Sequence, residues 1–71
     1  DETFPLVVAN IIAPVLLELA PAIARTVEKT LLLSGLRDHD VDRVVARYRT
    51  LGLQRGATAM RGSWARVELT R

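Results

Sequence analysis

Two short runs without a charged side chain decide most of what this chain can become. The first is FPLVVA, residues 4–9, and the second is TLLL, residues 30–33. Neither alternates polar with apolar residues. Such runs read as strands covered on both faces, as in a parallel sheet. The segment between them carries a helical pattern. Pro14 suits a first helical turn, where a missing N–H costs nothing. Leu16, Leu19, Ala20, Ile23 and Val27 recur at helical spacing, with Glu18, Ala22 and Arg25 opposite. Pro21 removes the bond to the Leu17 carbonyl, so a kink with Pro21 toward solvent is expected. Two strands joined by a helical crossover should be parallel, with a right-handed connection.

The second run stops at Ser34-Gly35, which reads as a strand end. Asp38 is placed to cap a helix whose first turn also carries Asp40 and Asp42, where negative charge suits the helix dipole. Val41, Val44, Val45, Tyr48 and Leu51 form its inward stripe; Arg43, Arg47 and Thr50 face water. Gly52 supplies the stop. Leu53 to Met60 is a weak strand loosened by Gly56, Arg61 to Ser63 is a turn, and Trp64 to Thr70 alternates cleanly. Strands joined so tightly must be antiparallel. The predicted fold is α/β, ordered β-α-β-α-β-β, with the last two strands an antiparallel hairpin.

At 71 residues the chain is at most one small domain. A hydrophobic content of 49% with 25% charged residues argues against disorder. There is no cysteine, so no disulfide or thiolate metal site, and a reducing cytoplasmic setting fits. The single histidine, His39, builds no zinc site alone. The net charge of +2 divides unevenly: residues 1–36 carry −2, while eight arginines give residues 37–71 +4. Those arginines are interleaved with acids and aromatics are only 4%, so direct nucleic-acid binding is not expected. Asn10, Pro14, Glu18 and Pro21 interrupt the uncharged start before it reaches the roughly 20 residues a membrane span needs. The chain opens on Asp1 and its one methionine is Met60, so a piece of a longer chain is expected.

In open α/β sheets ligands bind beyond the carboxyl ends of the strands. Asn10 ends the first run and Ser34-Gly35 the second, so both belong on one rim. An amide there can accept a hydrogen from an amine and aim its lone pair elsewhere. Periodicity alone favours a plainer role, in which Asn10 only caps the following helix or bonds loop backbone. His39 reads as a solvated residue in a helix's first turn, and Ser34 as a turn residue without an activating histidine. Trp64 reads as core or hairpin packing rather than a ligand platform. Asp38, Asp40 and Asp42 read as helix capping rather than a metal cluster.

The segments LVVANIIAPVLLELAP, LLLSGL, VVARYRTLGL and GSWARVELTR, in that order and spacing, resemble the ribosomal protein L-eleven methyltransferases (PrmA) over nearly all of the chain. The resemblance implies the C-terminal half of a Rossmann-like class I methyltransferase sheet, with residues 1–71 a single partial domain supplying the last four of seven strands. It implies S-adenosylmethionine as methyl donor and a large-subunit ribosomal protein as partner, methylated on lysine side-chain and N-terminal amines. Asn10 matches the family's counterpart of the Asn-Pro-Pro-Tyr motif of amino-methylating enzymes. It is thereby implied as the catalytic, cofactor-facing residue, with Ile11 and Ser34 on the substrate side. An amide suits this task better than a carboxylate, which would favour the unreactive ammonium.

Several positions depart from the family pattern. Pro5 stands where the family usually has Asp; a first strand position tolerates it. Val27, Glu28 and Lys29 replace a Pro-Gly-Gly turn, and Ile11 replaces the first proline of the general motif. The family's glycine-rich loop and acidic cofactor-gripping residue have no match here, so the chain alone is expected to be inactive. Another class I methyltransferase, acting on a small molecule or a nucleic-acid base, and a non-enzymatic α/β interaction module are the alternatives.

Overall fold

A computed structural model describes residues 2–71. The elements run β1 (Phe4–Asn10), α1 (Ala13–Glu18), α2 (Ala20–Thr26), β2 (Val27–Arg37), a single 3-10 turn (Asp38–Asp40), α3 (Val41–Thr50), β3 (Gln54–Arg61) and β4 (Trp64–Thr70). They build one four-stranded sheet in the order β1-β2-β4-β3. β1 and β2 are parallel, as a helical crossover requires, and β4 is antiparallel to both β2 and β3. β4 inserts between β2 and β3, so the last strand lies inside the sheet and β3 becomes its edge.

The core sits on one side of this sheet. Leu31, Leu33 and Leu36 of β2 and Ala65, Val67 and Leu69 of β4 are buried against Ala13, Leu16, Ala20 and Ala24 of the first two helices and Val41, Val44, Val45 and Tyr48 of α3. The alternation in β4 places Arg66 and Glu68 on the opposite face, outside that core. The inward stripe expected of α3 is buried, with Leu51 half-buried, and Gly52 ends the helix at φ +95°, where a side chain would be strained. No helix among the described residues is long and apolar enough to cross a membrane.

Five expectations need correction. β1 is not covered on both faces: Leu6 and Val8 are 57% and 61% exposed, because helices cover one face only and just one edge is paired. Residues 13–26 are not one kinked helix. The break falls at Leu19, and Pro21 lies in the first turn of α2, where its missing N–H is no loss. Leu19, assigned to the inward stripe, is accordingly exposed. Asp38 does not cap α3; it opens the 3-10 turn, its carboxylate accepting from the His39 N–H at 2.8 Å. Finally, Ser34-Gly35 does not end β2, which continues to Arg37.

What Ser34-Gly35 makes instead is a bulge. Leu33 pairs with Val67 and Leu36 with Ala65, so two residues of β2 stand against Arg66 alone. The inserted residue resets the alternation and lets Leu36 return to the core. The β1–β2 pairing has a similar irregularity at Pro5, between Phe4↔Val27 and Leu6↔Thr30. A proline donates nothing to a ladder, so it sits where the ladder is already broken.

Candidate active site

Asn10 is the last residue of β1 and pairs in parallel register with Ser34. The two polar residues therefore stand side by side at the carboxyl end of β1, as expected, although β2 itself runs three residues further to Arg37. Beyond them the chain turns into α1, whose N-cap is Ile12; no side chain caps it, and the Ile12 carbonyl accepts from Val15 and Leu16. Asn10 is thus not the cap of the following helix. Its carboxamide lies over Gly35: a β carbon at position 35 would fall 2.6 Å from Asn10 Oδ1.

An open cleft of about 740 Å³ begins at this rim. Asn10, Ser34 and Gly35 form one wall. The β3–β4 hairpin forms the other, through Ala59, Met60, Arg61, Trp64, Ala65 and Arg66. Among the described residues two arginines and no carboxylate line it, so the cleft disfavours added positive charge. Ile11 does not line the cleft. Its side chain packs on the core, while its backbone N and O approach Gly35, so only its main chain is presented toward the rim.

The hairpin wall is the part that residue patterns missed. Of the two packing roles expected of Trp64, the core one fails and the hairpin one stands: it is 47% exposed, and the Arg37 guanidinium lies 4.0 Å from its ring centroid. Arg37 Nη1 also donates to Ser63 Oγ at 3.0 Å, and the Asp38 N–H donates to the Ser63 carbonyl at 2.9 Å. These contacts tie the hairpin turn to the end of β2 and hold the indole at the cleft mouth. A cation over an aromatic face is attracted by the ring quadrupole, worth about 0.5–1 kcal/mol at an exposed site. The available signal was the pairing of the only tryptophan with the start of an alternating strand, which fixes its face but not its neighbour. His39 is well exposed beside Asp38 and Asp40, away from the cleft lining.

Known proteins match the chain in sequence and in fold. The family model described as Ribosomal protein L11 methyltransferase (PrmA) matches residues 1–71. The ribosomal protein L11 methyltransferase of Myxococcus xanthus is 45% identical over 71 residues, covering 100% of this chain and 25% of the relative. That of Brucella abortus is 42% identical over 69 residues, covering 94% of this chain and 24% of the relative. The crystal structure of the ribosomal protein L11 methylase from Lactobacillus delbrueckii subsp. bulgaricus superposes with a TM-score of 0.89 at 25% identity, over 100% of this chain and 38% of that one. The chain thus spans about a quarter of the length of the curated relatives it matches. With the whole of its length matched in sequence and in fold, the chain belongs to the ribosomal protein L11 methyltransferase (PrmA) family.

Proposed function

We propose that residues 1–71 form the C-terminal part of the catalytic domain of an S-adenosylmethionine-dependent methyltransferase. Its substrates are lysine side-chain and N-terminal amines of a large-subunit ribosomal protein, methylated in the cytoplasm. The observation that carries this reading is the Asn10 carboxamide at the end of β1, not engaged in capping, beside a cleft lined, among the described residues, by arginines and no carboxylate.

The residues present fit the acceptor end of such a reaction. S-adenosylmethionine, when bound, supplies an electrophilic methyl group. Asn10 would face that group and accept a hydrogen from the incoming amine, leaving the nitrogen lone pair free to attack. The main chain of Ile11 and the Ser34 hydroxyl stand on the substrate side of the same rim. The arginines oppose protonation of the amine and so favour its neutral, nucleophilic form. Alignment is the main task, because well-oriented reactants can gain about 7–11 kcal/mol over free encounter. The 71 residues alone carry the rim and none of the family's cofactor-gripping loop, so they are expected to methylate nothing.

The test is a graft of residues 1–71 into the Myxococcus xanthus relative, in place of its own matching segment. Transfer of labelled methyl to ribosomal protein L11 is the measurement. The graft should be active, and Asn10→Ala should lower kcat by about 100-fold with cofactor affinity intact, the size expected for lost orientation. A graft that binds S-adenosylmethionine yet never labels the ribosomal protein would overturn the substrate assignment. Near-normal kcat in Asn10→Ala would remove Asn10 from the reaction.

A further inference from the structure

Gly35 is where the bulge of β2 meets the carboxamide of Asn10. It adopts φ +79°, a region that L side chains rarely enter. That conformation alone would select glycine, but a second constraint acts at the same atom position. A β carbon there would stand 3.5 Å and 3.6 Å from the Ile11 carbonyl oxygen and amide nitrogen, both ordinary contacts. Its distance to Asn10 Oδ1 would be 2.6 Å, which real β carbons essentially never show. The backbone around Gly35 therefore has room for a methyl group, and the Asn10 side chain does not. The carboxamide occupies the space that the missing side chain leaves.

We propose that Gly35 is a positioning residue for methyl transfer: the absence of its side chain lets the Asn10 carboxamide lie across the bulge at the cleft rim. This inference rests on the role given to Asn10 above. It explains why the bulge falls at this point of β2, opposite the end of β1. The β1–β2 ladder runs unbroken from Leu6↔Thr30 to Asn10↔Ser34, and the bulge against β4 that follows returns Leu36 to the core and leaves a side-chain-free seat under the amide. Any side chain at 35 shifts the amide away from that seat, and a displacement near 1 Å is enough to cost about 100-fold in rate.

Two roles of Gly35 must be separated, its backbone freedom and its empty seat. In the Myxococcus xanthus graft, Gly35→Ala should lower kcat by about 30–100-fold while KM for either substrate moves by less than about 3-fold, since alignment rather than binding is lost. Gly35→Asn should not rescue it: asparagine tolerates positive φ but still brings a β carbon. Adding Gly35→Ala to Asn10→Ala should lower kcat no further. The thermal midpoint gives a reading independent of catalysis. Gly35→Ala should cost fewer degrees in the Asn10→Ala background, because the overlap is relieved while the backbone strain remains. Full activity in Gly35→Ala, rescue by Gly35→Asn, or additive losses in the double variant would each overturn the proposal. If Asn10→Ala alone keeps its kcat, the reading of Asn10 fails first and this one with it. If Asn10→Ala loses kcat and Gly35→Ala does not, only the role of Gly35 fails.

Discussion

Tyr48 shows what a single residue adds beyond its place in a pattern. Its position on the inward stripe of α3 was legible from helical spacing, and the side chain is fully buried. What spacing could not give is the bond of its hydroxyl to the Leu16 carbonyl, 2.9 Å away near the end of α1 and 32 residues distant in sequence. Carbonyls in a last helical turn run out of helical partners, so this bond satisfies a buried acceptor. Tyr48→Phe should therefore destabilise the fold by about 1–3 kcal/mol, measured by urea unfolding, although the ring still fills its site. Burial also raises the Tyr48 pKa from 10.0 to about 12, with the nearby Arg47 charge opposing the rise. The folded state holds this proton more tightly than the unfolded chain does. The stabilisation is complete below pH 10 and is lost as pH climbs toward 12, a linkage of roughly 3 kcal/mol. Melting followed from pH 9 to 12 should fall more steeply in the parent than in Tyr48→Phe; parallel curves would contradict this account. Asn10 is the opposite case. Its place at a strand's carboxyl end followed from two apolar runs, but the contact with Gly35 depends on a bulge that leaves the same Ser-Gly signature as a turn.

At the level of elements, strand and helix identities were readable because periodicity reports which face is buried. Boundaries were not, because Pro and Gly punctuate several structures alike. Pro21 tests the distinction by the sign of one substitution. In an unbroken helix it would remove a backbone bond and crowd the preceding turn, and replacing it with alanine would recover up to about 3 kcal/mol. In the first turn of α2 nothing is lost at its nitrogen, and its ring only stiffens the unfolded chain. Pro21→Ala should then be destabilising by about 0.4–1 kcal/mol. A stabilised variant in thermal unfolding would restore the single kinked helix. The hairpin wall of the cleft was least legible. Arg37 and Trp64 lie on different strands, and their stacking follows from the insertion of β4 beside β2, which no local pattern encodes.

Across the whole molecule, two features answer to no local rule. One is Arg71, whose guanidinium donates to the carbonyls of Ala24, Val27 and Leu51, while its backbone N–H donates to Lys29. One cation thus closes the C-terminal ends of α2 and α3 against the start of β2, where helix dipoles favour positive charge. Arg71→Lys should recover little of what Arg71→Ala loses, since an ammonium cannot span three carbonyls as a planar fork does. The other feature is the open side of the sheet. β1 is an edge strand with Phe4, Leu6 and Val8 between 46% and 61% exposed, and Ile12 beside them is 60% exposed. A small domain that leaves this much apolar surface in water has little stability to spare, and an unpaired apolar edge is a template for a second strand. The isolated 71-residue chain should consequently self-associate. Its melting midpoint should rise with concentration, because an assembly that forms only from folded chains stabilises them by mass action. Sedimentation should show species heavier than a monomer. Val8→Lys places a charge in the middle of the exposed strand without touching the buried face, so it should shift sedimentation toward monomer while leaving the circular dichroism spectrum unchanged. A sharp monomeric melt with a midpoint indifferent to concentration would show that the helix-covered face alone is sufficient to hold the sheet.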